Sequence, residues 1–104
     1  MEHVKELVLK AALSMLSGNL TYFDGAREIL DLKSLIKKDN ISDEDFLALM
    51  IIYSETDYIP NAALRKYLKD EDLLKVEVEL KKIELWAKPF AEDACKNLIN
   101  KIGF

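Results

Sequence analysis

Cysteine, histidine, glycine and proline are all scarce in this chain, and each scarcity excludes something. Cys95 is the only cysteine among 104 residues, so no intrachain disulfide can form and a reducing compartment is expected. His3 is the only histidine, near a terminus expected to fray. A Ser-His or Cys-His nucleophile pair would have to use it, and one residue of each kind cannot build a Cys/His metal cluster. Gly18, Gly25 and Gly103 are scattered, which leaves no glycine-rich phosphate loop. With only Pro60 and Pro89 as prolines, forced breaks are few, so few and long elements are expected. No apolar run approaches the length needed to span a bilayer. The opening Met1-Glu2-His3-Val4-Lys5-Glu6 is polar and mixed in charge, unlike a signal peptide. A cytoplasmic protein that is not an enzyme and carries no metal or cofactor is the expectation.

Half of the residues are hydrophobic and 33% are charged, the profile of a globular chain. The length suits one domain, residues 1–104, and a core without staples. The net charge of −4 disfavours broad binding to a phosphate backbone, which needs clustered Lys and Arg. It allows a basic protein partner, although mild acidity is also ordinary for solubility.

Apolar periodicity predicts helices nearly everywhere. Val4, Leu7, Val8, Ala11, Ala12, Met15 and Leu16 recur at steps of three and four, and Gly18-Asn19 stops them. Thr21 is placed to cap a second helix, with Asp24 completing a weak capping box. Its stripe runs from Phe23 to Ile36, with Lys37 and Lys38 in the last turn, where the helix dipole favours cations. Ser42 is the next N-cap, with Asp43, Glu44 and Asp45 behind it and Ile41/Phe46 spaced as a hydrophobic staple. The third helix, through Tyr53, is apolar on nearly all sides and is expected to be central and most buried. A buried strand over 48–53 is the alternative. Pro60 or Asn61 opens a short helix reaching Tyr67 and Leu68. Asp70 then caps a long last helix whose seam is Leu73, Val76, Leu80, Ile83, Ala87, Phe90, Ala94 and Leu98. Pro89 falls inside that seam without changing its phase, which predicts one kinked helix. The fold class is all-α, a small bundle of four to five helices with a long, Pro89-kinked C-terminal helix.

Residues 54–60, Ser54-Glu55-Thr56-Asp57-Tyr58-Ile59-Pro60, interrupt this pattern. Glu55 and Asp57 could hold a hard cation or divide acid and base roles. The structural reading is stronger: Ser54, Glu55, Thr56 and Asp57 satisfy backbone groups of a rigid turn ended by Pro60, and cap the following helix. Arg27, one step from an apolar stripe, is expected to tie the second helix to this turn by an ion pair with Glu55 or Asp57. Asp43, Glu44 and Asp45 open a helix, as do Asp70, Glu71 and Asp72. Glu77/Lys81 and Glu84/Lys88 read as solvated pairs, and Cys95 as a buried small hydrophobe. Among Trp86, Tyr58, Tyr67 and Phe104, Trp86 suits core packing, and Tyr58 is the best exposed anchor.

Leu16-Ser17-Gly18, Gly25-Ala26-Arg27, residues 54–60 with Arg65, Trp86-Ala87, Ala94-Cys95 and Leu98-Ile99 together resemble a group of small uncharacterised bacterial helical proteins. That group carries a Ser-Glu-Thr-Asp-x-x-Pro core. The resemblance implies a helical fold and no catalytic residue. More loosely, in size, acidity and helical character, the chain is similar to immunity proteins of contact-dependent growth-inhibition and other polymorphic toxin systems. That likeness implies a non-enzymatic protein that neutralises a toxin, often a basic nuclease, by direct binding. Glu55, Asp57 and Tyr58 would then contact the partner, with Asp43, Glu44 and Asp45 as a second acidic patch. The alternatives are a carboxylate-based metal binder or enzyme built on Arg27, Glu55 and Asp57, and an oligomeric structural or adaptor protein whose last helix packs on a copy of itself.

Overall fold

The computed structural model describes residues 2–36 and 41–102. Among them are five α-helices: α1 (Glu2–Ser17), α2 (Tyr22–Lys33), α3 (Leu47–Thr56), α4 (Ala62–Arg65) and α5 (Asp70–Ile102). A 3-10 turn, Asp43–Phe46, leads into α3. The described residues contain no strand, so 48–53 is helical. Lys37, Lys38 and Phe104 lie outside the described residues.

Local chemistry sets most helix ends. Gly18, at φ 86°, closes α1: Asn19 N–H donates to the Ser14 carbonyl at 2.9 Å and Gly18 N–H to that of Met15 at 3.3 Å, the paired bonds of a Schellman motif. Thr21 accepts from Asp24 N–H at 3.0 Å and Asn61 from Leu64 N–H at 2.9 Å, so both cap their helices. Asp45 reaches back to accept Ser42 N–H at 2.8 Å, and Ile41 and Phe46 on either side are buried. Two helices are shorter than the periodicity suggests. After Lys33 the chain leaves α2, with Leu35 exposed and Ile36 buried. The helix α4 is a single turn, and Leu64 and Tyr67 beyond its core side are exposed.

Packing centres on α5, which lies against α1, α2 and α3, while α2 also contacts α1 and α3. Val8, Ala12, Met15, Phe23, Ile29, Leu49, Ile52, Cys95 and Leu98 are fully enclosed. Gly25 lets α1 and α2 approach closely: a Cβ there would lie 2.3 Å from Met15 Sδ and 2.4 Å from its Cγ.

Three expectations about the core are corrected. First, α3 is not the most buried helix: only Leu49, Ile52 and Thr56 are enclosed, and Leu47, Met50, Ile51 and Tyr53 face outward. Second, Phe90 leaves the α5 seam: it is exposed and Ala91 is buried in its place, while Ala87, Ala94 and Leu98 hold the expected positions. The helix continues across Pro89. Third, the first buried residue of α5 is Ile83. The seam positions before it, Val76 and Leu80, pack against the core but are only partly buried.

Candidate functional site

The segment 54–60 begins inside α3 and ends in a turn clamped by two arginines. Ser54, Glu55 and Thr56 are still helical. Thr56 is buried, and its hydroxyl donates to the Ile52 carbonyl one turn back. Arg27 binds the carbonyls of the helix end and the turn: its Nη2 donates to Thr56 O at 2.9 Å and Ile59 O at 3.2 Å. The guanidinium lies between the rings of Phe23 and Tyr53, 4.5 and 4.9 Å from their centroids. Arg65 donates to Pro60 O at 2.9 Å and is held by Asp24 through Nη1 at 3.3 Å and Nη2 at 2.9 Å. Asp24 belongs to the Thr21 cap, so the start of α2, the turn and α4 form one unit. Ile59 seats the turn in the core.

Arg27 therefore ties α2 to the turn, but not through a carboxylate. No ion pair joins it to Glu55 or Asp57 among the described residues. A helix C-terminus presents several orphan carbonyls, and the two hydrogens of one guanidinium nitrogen reach the last carbonyl of α3 and one in the turn beyond it. The expected capping role also moves: Asn61, not Glu55, Thr56 or Asp57, caps the next helix. Glu55, Asp57 and Tyr58 point to solvent. The trio Arg27, Glu55 and Asp57 is not gathered into a site, and no group of three or more His, Cys, Asp or Glu among the described residues is arranged to hold a metal.

The acidic run before α3 divides in two. Asp43 and Glu44 are exposed, with Asp43 2.9 Å from Lys33 Nζ. Asp45 is turned inward, its side chain 8% exposed, and accepts from Lys101 at 2.7 Å and Asn97 at 2.9 Å. Burial pushes its carboxyl up, but the bonds from Lys101, Ser42 N–H and Asn97 outweigh that and hold it at about 2. It fastens the start of α3 to the end of α5.

Glu84 corrects another expectation. It is no solvated partner of Lys88: its carboxylate accepts Tyr22 N–H at 2.8 Å and Phe23 N–H at 3.0 Å. An acid from α5 thus caps α2, favoured by the positive end of the helix dipole. Burial raises its pKa; the two N–H groups oppose this and Asp24 adds to it. Cys95 packs with its Sγ 3.6 Å from Met15 Sδ, and burial pushes its thiol up to about 11.

Between α3 and α5 lies an open apolar groove of about 300 Å³, lined by Leu47, Ala48, Ile51, Ile52, Trp86 and Phe90. Trp86 is thus a wall of the groove and not part of the sealed core, 38% exposed where Phe90 is 58%. Glu44 precedes Leu47 by about one turn, and Glu55 follows Ile51 by one. Acidic side chains therefore stand at both ends of the α3 wall. Leu47, Ile51 and Phe90 carry no signal in the sequence that separates them from core positions. Among the described residues, no helix is long and apolar enough to cross a membrane. No protein-family model, curated protein or solved structure shows significant similarity to the chain.

Proposed function

We propose that this protein is a non-enzymatic binding module for another protein, specifically an immunity protein that acts in the cytoplasm and neutralises a basic toxin domain by direct contact. The observation that carries the reading is the uncovered groove between α3 and α5, with Trp86 and Phe90 in one wall and Glu44 and Glu55 at the ends of the other. Large aromatics in a concave apolar setting are the usual energetic centre of an interface. The acids at the two ends of the α3 wall would steer a basic partner and set its orientation. Asp57 and Tyr58, exposed on a clamped turn after α3, offer a further preorganised contact at little ordering cost. A bend at Pro89, where the missing N–H frees the Leu85 carbonyl, would set the angle at which Trp86 and Phe90 face α3. Size, net acidity and helical character support the immunity form of the reading.

The test is co-expression with the variable C-terminal domain of a large secreted protein encoded beside this chain. Growth should be restored by the wild type and lost with Trp86→Ala/Phe90→Ala. Glu44→Lys/Glu55→Lys should slow association and reduce its salt dependence. Failure of the folded wild type to restore growth rejects the immunity reading. Restoration that survives loss of both aromatics rejects the groove.

A further inference from the structure

The long helix carries a second stripe, on the side away from the core. Glu71, Leu74, Val78, Lys81, Leu85 and Lys88 follow one another at steps of three, four, three, four and three, the spacing of a coiled-coil seam. All six are exposed; Leu74, Val78 and Leu85 are uncovered by 63, 54 and 80%. A monomer gains nothing from keeping three large aliphatic residues in register on a solvated face.

We propose that α5 pairs with α5 of a second copy of this chain, antiparallel, about a two-fold axis passing between Glu79 and Leu80. The order of residues along the stripe selects this occupant. With that axis, Leu74 faces Leu85 of the second copy, Val78 faces Lys81, and Glu71 faces Lys88, and each contact occurs twice. The stripe is acidic at its start and basic at its end, so it complements itself only when reversed. That is the requirement of a two-fold interface, in which one patch serves both subunits. Every layer joins one position of the three-step to one of the four-step, as antiparallel knobs-into-holes packing demands. Lys81 lays its aliphatic stem over Val78 and carries its ammonium to the rim, where Glu77 of the second copy stands. Beside the stripe a shallow groove of about 670 Å³, walled by Tyr22, Leu80, Lys81, Glu84, Leu85 and Lys88, leaves room for the second helix to settle. Trp86 points roughly 100° around α5 from Leu85, so the α3–α5 groove stays open on the outside of such a dimer.

Sedimentation and light scattering of the full chain over a wide concentration range test the proposal. The wild type should run as a dimer at the upper end. Leu85→Glu should weaken association by roughly a hundredfold or more, because each dimer loses both of its Leu74–Leu85 layers, with helicity unchanged. Glu71→Lys and Lys88→Glu should each weaken it roughly tenfold by facing like charges, and the two together should restore it. A wild type that stays monomeric overturns the proposal. So does a dimer indifferent to Leu85→Glu, which would place the interface elsewhere. Charge reversals that do not rescue one another overturn the antiparallel register.

Discussion

Replacing Arg27 with methionine keeps an unbranched stem against Phe23 and Tyr53 and removes the guanidinium. The wild-type Nη2 makes two hydrogen bonds to backbone carbonyls, at 2.9 and 3.2 Å. A hydrogen bond with one charged partner contributes about 1.5–3 kcal/mol, and the lower end applies at a half-buried site. Two ring faces add about 0.5–1 kcal/mol each. Against this, Arg27 Nε is buried without a hydrogen-bond partner, a cost of about 1 kcal/mol that the substitution removes. The net expectation for Arg27→Met is a loss of about 3–4 kcal/mol, or roughly 12–30 °C in Tm for a domain of this size. Arg27→Lys keeps the charge and a nitrogen donor but loses the planar group held between the rings of Phe23 and Tyr53, and should lose about half as much. Urea unfolding followed by circular dichroism measures both. Amide exchange should rise locally at Ile59, whose N–H bonds to the Thr56 carbonyl at 3.0 Å. Carbonyl anchoring also predicts that Glu55→Gln and Asp57→Asn stay within about 0.5 kcal/mol of wild type. The reasoning is refuted if Arg27→Met is equally silent, or if either carboxamide variant costs as much as the loss of Arg27.

Gly25→Ala should destabilise the protein by about 1–2 kcal/mol, since overpacking against enclosed Met15 outweighs the roughly 1 kcal/mol helix preference of alanine. In a Met15→Ala background the same change should turn stabilising, and thermal melts of the four-member cycle give the sign. Asp45, held at about 2 against an ordinary 3.8, contributes stability that is complete above the unfolded value and fades as pH falls towards 2. Near-surface screening limits the contribution to roughly 1–2 kcal/mol. The stability gap between wild type and Asp45→Asn should therefore be full at pH 6 and close below pH 3 in urea titrations. Glu84, raised by burial, acts in the opposite sense: its contribution is complete below the unfolded value and declines as pH rises through the folded one. Cys95 should react with a thiol reagent at neutral pH only as fast as the protein opens, because the thiol is enclosed and its pKa lies near 11. Rapid labelling of the native protein would contradict that burial.

The helices and their starts are legible in the residues alone. Thr21, Ser42 and Asn61 as starts, Gly18 as a stop and the turn before Pro60 were legible, because a cap is a bond between residues three or four apart and needs no knowledge of the rest of the chain. The acids at 43, 44 and 45 were legible as a helix start, but not the inward turn of Asp45, because its partners Asn97 and Lys101 lie more than fifty residues away. Only the tertiary structure decided which apolar faces are covered. Periodicity says that a face is apolar and not how many neighbours reach it. Hence α3 was expected to be central, Trp86 enclosed and Phe90 in the seam, although all three stand at an open groove. Partner choice for long polar side chains was beyond the sequence for the same reason. Arg27 had Glu55 and Asp57 in the segment it reaches, but that segment also offered carbonyls that water cannot easily serve. Glu84 had Lys88 one turn away, but the start of α2 offered two unsatisfied N–H groups. Local spacing specifies what a side chain could pair with, and desolvation, which exists only once the helices have packed, decides what it does pair with.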